Sequence, residues 1–286
     1  MKILITGAGG LVGRALEEHC RTKGDEVFAY DHGSLDIVDY QAVERAVDEH
    51  SPEAVINCAA WTNVDACEGD PEKTQQANSL GPENLARASR RVDAVFVTIS
   101  TDYVFDGLKE GFYTQRDNPR PINVYGRFKL EGERRVQAEH ARSIVVRAGY
   151  IFGLGGKNFL STIVTRARNG EKLMAISDCY GTPTYGRDLA ARLRELALKD
   201  LPGVYHVTNS GDGASFETFA HEALALAQYP IGSLETVSMD ALQRPAPRPR
   251  NTRLSCVLSP AIGLLPLRSW QEAVADFVAE LPISSV

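Results

Sequence analysis

The chain has 286 residues, 43% hydrophobic and 24% charged, enough to bury one large core or two modest ones. A net charge of −6 and a pI near 5.6 argue against a general nucleic-acid binder. No apolar stretch approaches the roughly 20 residues of a membrane-spanning helix, and the chain opens directly on the strand-like Lys2-Ile3-Leu4-Ile5, without a signal-peptide plan. The expectation is a cytoplasmic protein that engages neither nucleic acid nor membrane.

Short apolar runs at 2–6, 26–30, 54–58, 94–99 and 143–147 are rich in Val, Ile, Phe and Ala. That is the pattern of parallel strands buried on both faces. Helical patterns near 11–23, 40–49, 72–91 and 124–140 separate them, with Leu80, Leu85 and Ala88 as an apolar stripe on the third. The alternation predicts an α/β fold, a Rossmann-type doubly wound parallel sheet over residues 1–150.

Beyond residue 150 the rhythm loosens. Gly153-Leu154-Gly155-Gly156 reads as a loop, followed by a helix near 158–169 and a strand near 172–176. A loop through Gly181-Thr182-Pro183-Thr184, a helix at 187–199 and a strand at 204–208 come next, then helix 215–227 and strand 234–238. Arg244-Pro245-Ala246-Pro247-Arg248-Pro249-Arg250 must be extended, because its prolines bar a helix. A last helix spans roughly 269–281. The expected division gives 1–150, completed by 178–208, to a nucleotide-binding domain. Residues 151–177 and 209–286 form a smaller, irregular substrate lobe.

Five cysteines (Cys20, Cys58, Cys67, Cys179 and Cys256) are scattered, without C-x-x-C or zinc spacing, and the six histidines are equally dispersed. Reduced thiols and no bound metal are expected.

Gly7, Gly10 and Gly13 form G-x-x-G-x-x-G between the first strand and the first helix. There the chain must turn sharply, approach a pyrophosphate and pack its helix close to the sheet. The helix N-terminus then offers free N–H groups to phosphate. This is not the G-x-G-x-x-G spacing of the common dinucleotide fingerprint.

Asp31 ends the second strand, where an acid can accept from the adenosine ribose and disfavour a 2′-phosphate. A solvated turn aspartate explains it equally well, so NAD(H) and NADP(H) both stay open. Asp36 and Ile37 lie where an adenine would rest. Small residues at the end of strand three, before Ala60-Trp61-Thr62, let a cofactor cross the sheet edge.

Thr101 ends strand four, where ligands of open α/β sheets gather. Tyr125 and Lys129 are four residues apart and share a helix face. Ten Tyr and eight Lys give about 0.3 chance matches to Tyr-x-x-x-Lys, so the pair gains its meaning from its neighbours. Tyr125 can serve as general acid to a carbonyl oxygen that Thr101 also bonds. Lys129 can hold the nicotinamide ribose and favour phenolate.

These residues resemble the extended short-chain dehydrogenase/reductase superfamily, and within it the dTDP-4-dehydrorhamnose reductases. The likeness covers nearly the whole chain. It is most specific at Ser100-Thr101-Asp102-Tyr103-Val104-Phe105-Asp106-Gly107, Pro121-Ile122-Asn123-Val124-Tyr125-Gly126, Asp178 to Thr184 and Arg248 to Leu254. The resemblance implies Thr101, Tyr125 and Lys129 as the catalytic triad. It puts Gly10, Leu11 and Val12 at the pyrophosphate, and Asp36, Ile37, Ala60, Trp61 and Thr62 along the cofactor. It turns Thr101, Asp102 and Tyr150 toward a dTDP-sugar, with Arg250 as a diphosphate contact. It further implies a homodimer.

Three positions depart from the family pattern. Tyr150 stands where Trp is usual, Cys179 replaces a Gln, and Ala15 replaces a Glu that binds magnesium in some members; no metal is carried over. Two other readings stand beside this one: a reductase of another nucleotide-linked 4-keto sugar, and a non-catalytic dinucleotide-binding subunit like the regulatory subunit of eukaryotic methionine adenosyltransferase.

Overall fold

The computed structural model describes residues 1–230, 232 and 234–281. Residues 231, 233 and 282–286 of the expected substrate lobe lie outside the described residues. The first half runs β1 (Lys2–Thr6), α1 (Leu11–Thr22), β2 (Glu26–Tyr30), α2 (Tyr40–His50), β3 (Ala54–Asn57), α3 (Val64–Gly69), α4 (Pro71–Gln75), α5 (Gly81–Arg91), β4 (Val95–Thr101), α6 (Val124–Glu139) and β5 (Ser143–Ala148). Then come β6 (Ile151–Phe152), α7 (Phe159–Arg168), β7 (Leu173–Ile176), β8 (Tyr180–Gly181), β9 (Thr184–Tyr185), α8 (Gly186–Lys199) and β10 (Gly203–His206). The chain closes with β11 (Asn209–Ser210), β12 (Ala214–Ser215), α9 (Phe216–Leu226), β13 (Leu234–Val237), α10 (Leu258–Ala261), β14 (Leu267–Ser269) and α11 (Trp270–Glu280).

Six strands form one parallel sheet in the order β10-β5-β4-β3-β1-β2. Both faces are covered, which is why its strands read as unbroken apolar runs. Ile3 and Ile5 of β1 pack with Leu16 of α1 and Leu189 and Leu193 of α8. Leu4, between them, points the other way and packs with Val43 and Val47 of α2, Leu85 of α5 and Phe96 of β4. Strand order reverses between β1 and β3, so a crevice opens at the carboxyl ends of β1, β3 and β4.

The helix predicted over 72–91 is broken. Residues Gln76–Leu80 form a π-helical turn between α4 and α5. Pro82 has no N–H to return to the Asn78 carbonyl, so regular winding cannot pass through this point. The short helix α3 was not expected. Asn63 caps it, accepting from Ala66 N at 3.1 Å.

The C-terminal part is built from strand pairs β6–β9, β7–β13, β8–β12 and β11–β14. They are held by an aromatic core of Phe152, Tyr185, Phe219, Trp270 and Phe277.

Candidate active site

The glycine turn is shaped by contact. Gly7 has φ +72°, and a Cβ there would lie 2.5 Å from Ala59 N; one on Gly13 would lie 2.2 Å from Gly7 O. Neither position admits a side chain. α1 begins at Gly10 with no side-chain cap and no acid in its first turn, so its first amides remain available to an anion.

Beside this turn a cleft of about 770 Å³ is lined by Gly7, Gly10, Asp31, Asp36, Ile37, Ala60 and Trp61, seven of the residues expected at the cofactor. A dinucleotide fits this cradle: a cleft of that size, bare glycine backbone and an uncapped helix N-terminus beside it. Asp31 reaches the cleft wall, with its Oδ1 accepting from Ser34 N at 2.9 Å and Ser34 Oγ at 2.8 Å. Those donors hold its carboxyl below the usual range, so it stays charged. Lys73 was not anticipated; it lines the same cleft with its ammonium 4.7 Å from the Trp61 ring centroid.

A second cavity, about 410 Å³, shares Gly10, Ala59 and Ala60 with the first. It brings together Leu11, Val12, Thr62, Thr101, Asp102, Tyr125, Lys129 and Tyr150, all expected at the site. Lys157 and Asn158, which the sequence did not single out, complete its rim.

Tyr125 sits in the first turn of α6 and is 9% exposed. Its ring meets Tyr103 edge-on at 6.1 Å. Burial raises its pKa, Thr101's hydroxyl opposes that rise and Asp102 adds to it. The lowering expected from the sequence is therefore reversed in the protein alone, because desolvation outweighs every nearby donor. The neutral phenol this favours is the form that can give a proton.

Lys129 Nζ donates to the Ile99 carbonyl at 2.8 Å. Burial draws its pKa down to about 8, against the opposing pull of Glu133. Thr101 Oγ1 donates to Asp102 Oδ1 at 3.1 Å and accepts from Tyr103 N at 3.2 Å.

Asp102 is 3% exposed, and its pKa is pushed up to about 6 by burial, with the Thr252 and Thr101 hydroxyls holding it from rising further. Thr252's own bond is aimed at the Tyr180 carbonyl, 3.4 Å away, so Asp102 Oδ2 is buried with no hydrogen-bond partner among the described residues. A Cβ on Gly149 would lie 2.5 Å from that oxygen.

Tyr150 follows β5 with φ +44°, a left-handed conformation that is strained for a bulky residue. Its ring stacks on Phe216 of α9 at 4.3 Å, and its hydroxyl donates to the Cys179 carbonyl at 3.3 Å.

The proline-limited stretch runs as a strap past the N-terminal ends of α6 and α3. Asn123 Nδ2 donates to Pro247 O at 2.9 Å, and Ala246 N donates to Asp65 Oδ1 at 3.2 Å. Arg248 pairs with the same Asp65 oxygen at 2.9 Å. Arg250 lines neither of the two cavities. It is 45% exposed in its side chain and shared between Asp178 at 2.7 Å and Asp240 at 2.5 Å. Among the described residues no cluster of three His, Cys, Asp or Glu could hold a metal ion.

The chain matches the family described as RmlD substrate binding domain over residues 1–283. A dTDP-4-dehydrorhamnose reductase of Mycolicibacterium smegmatis is 39% identical over 97% of this chain and 85% of its own. One from Streptomyces griseus is 38% identical over 96% and 91%. A Bacillus anthracis dTDP-4-dehydrorhamnose reductase, solved in complex with NADP, superposes with a TM-score of 0.94 at 33% identity, covering 98% of this chain and 99% of that one. The chain belongs to the RmlD substrate binding domain family, the family of the dTDP-4-dehydrorhamnose reductases.

Proposed function

We propose that the protein reduces the C4 ketone of dTDP-4-dehydro-L-rhamnose to dTDP-L-rhamnose with NADPH or NADH, for cell-surface polysaccharide synthesis. The carrying observation is that the buried side chains of Thr101, Tyr125 and Lys129 meet in one cavity that adjoins the glycine cradle. The relatives' shared name supplies the substrate.

The bound nicotinamide supplies a hydride to C4. Tyr125 gives its phenolic proton to the C4 oxygen, the step its neutral form suits. Thr101 turns its hydroxyl from Asp102 to the same oxygen and fixes the carbonyl's direction. Lys129, still charged below its pKa of about 8, holds the ribose and steadies the phenolate left on Tyr125. Gly7, Gly10, Leu11 and Val12 face the pyrophosphate. Asp31, Asp36, Ile37, Ala60, Trp61 and Thr62 line the remainder of the cofactor. Asp102 and Tyr150 border the sugar. Arg250 serves as diphosphate contact by exchanging Asp178 and Asp240 for phosphate oxygens.

In this reading 1–150 with 178–208 carries the cofactor, and 151–177 with 209–286 closes over the sugar nucleotide. The reaction belongs in the cytoplasm. Every described cysteine is unpaired, and no described helix is long and apolar enough to cross a membrane.

The test is direct. dTDP-4-dehydro-L-rhamnose is generated in situ, NADPH or NADH is added, and cofactor oxidation and sugar product are followed. Cofactor binding without turnover on any dTDP-4-keto sugar would sink the enzyme reading. Turnover confined to a different sugar would move the substrate assignment.

A further inference from the structure

Three consecutive residues of β4 meet three successive turns of α6. Thr101's hydroxyl faces the Tyr125 phenol, the Ile99 carbonyl accepts from Lys129, and the Ser100 hydroxyl donates to Glu133 Oε1 at 2.5 Å. Tyr125, Lys129 and Glu133 are spaced by four, so they form one stripe along the helix. Glu133 is 3% exposed.

Its other partner is Arg147 of β5, which grips it as a fork: Nε to Oε1 at 2.9 Å and Nη2 to Oε2 at 2.6 Å. Arg147 lies 5.3 Å from the Phe105 ring centroid and 3.5 Å from His206 Nε2. Such a buried pair adds little stability over well-packed apolar side chains. Its place directly behind Lys129 calls for another account.

We propose that Glu133 is a positioning residue of the reductase: it locks α6 in register on β4 and keeps the Lys129 ammonium charged beside Tyr125. This rests on the roles given above to Tyr125 and Lys129. The titratable and charged groups that face Lys129 are Tyr125 and Glu133 on α6, Asp102 after β4, Tyr150 after β5, Lys157 before α7 and Cys58 after β3, with Arg147 of β5 behind Glu133. The Cys58 thiol is pushed up to about 12 by burial and is neutral. Arg147 is bound to Glu133 itself. Glu133 is the group that counters the effect of burial on Lys129.

The experiment is the pH profile of kcat/KM for the wild type, Glu133→Gln, and the double variant Glu133→Gln with Arg147→Met. The double variant leaves no buried arginine without its carboxylate and keeps the test open if the single variant does not fold. In the wild type, activity is expected to fall as pH rises through about 8, the pKa to which burial draws Lys129. Both variants are expected to bring that fall about one pH unit lower, the small end of the shift an opposite charge confers. NADPH affinity at pH 6, where Lys129 is charged in all three, should be unchanged. If activity drops at every pH with the limb unmoved, Glu133 is packing and no more. Lys129→Met is the control: if it retains turnover, the catalytic assignment itself fails, which is distinct from an unmoved limb beside an inactive Lys129→Met.

Discussion

Asn123 caps the helix that carries Tyr125 and, with the other end of the same amide, holds the Pro247 carbonyl of the strap. Its Oδ1 accepts from Gly126 N at 2.8 Å while Nδ2 donates to Pro247 O at 2.9 Å. One side chain therefore ties the helix of the proton donor to the strap. Asn123→Asp keeps the cap and loses the donor. One net hydrogen bond, about 0.5–1.5 kcal/mol, corresponds to a roughly 2–10-fold rise in KM for the sugar nucleotide. Steady-state kinetics should show that rise with NADPH binding unaltered. Asn123→Ala should add a loss of melting temperature from the missing cap.

Tyr125→Phe preserves the ring against Tyr103 and deletes the proton. Turnover should fall by about 10²–10⁴-fold, with cofactor affinity, read by fluorescence titration, little changed. A Phe variant as fast as the wild type would remove Tyr125 from the chemistry.

Asp31 remains charged in the cofactor cleft, held by Ser34. Asp31→Ala should raise the NADPH/NADH ratio of kcat/KM, because a 2′-phosphate would no longer meet a carboxylate. An unchanged ratio would mean that the ribose is read elsewhere.

Arg250 must give up two carboxylates to take a diphosphate, so its net contribution is reduced. Arg250→Ala is expected to weaken dTDP binding by at most about fivefold, less than a free arginine would. Calorimetry with dTDP settles it: equal affinities would leave Arg250 as a brace for Asp178 and Asp240.

His206 is buried and neutral, its pKa drawn down to about 3 first by burial and then by Arg147. Its Nδ1 lies 2.9 Å from the Ser255 carbonyl and donates to it. The unfolded chain takes up this proton below about pH 6.5, whereas the folded chain does not until about 3. The stability it contributes is full above pH 6.5 and is lost as pH falls toward 3. Melting temperature should decline over that window, and His206→Gln should flatten the decline while melting lower at pH 7.

The sheet was legible because both its faces are buried: a strand such as Ile3-Leu4-Ile5 needs no alternation to be read. The gathering of Thr101, Tyr125 and Lys129 was legible too, since one lies at a strand end and the others share a helical face. The partners behind them were not. Glu133 meets Ser100 across 33 residues and Arg147 across 14, and Asn123 reaches Pro247 across 124. Sequence spacing carries no trace of such distant meetings. Two local signals did exist: Glu133 continues the Tyr125–Lys129 stripe, and Asn123 stands where a helix cap belongs. Arg250 reads as a diphosphate contact because nothing in the sequence shows that Asp178, 72 residues away, and Asp240, 10 away, both turn toward it. The break at Gln76–Leu80 was hidden because residues on either side fit a helical pattern, although Pro82 marked the spot.

That π-turn stores one extra residue within a helical run. On one side of it α4 offers Lys73 to the cofactor cleft; on the other α5 offers Leu85, Ala86 and Ala88 to the core. At its centre, Asn78 clasps Trp61 through both backbone groups at 2.9 Å. A π turn is closed by i→i+5 bonds and so holds one residue more than an α turn. Deleting one residue here would restore even α winding with both faces still aimed, but it would carry Asn78 out of its clasp on Trp61. The extra residue is therefore what holds Trp61 at the cofactor cleft, and a single deletion should weaken cofactor binding more than it weakens the fold.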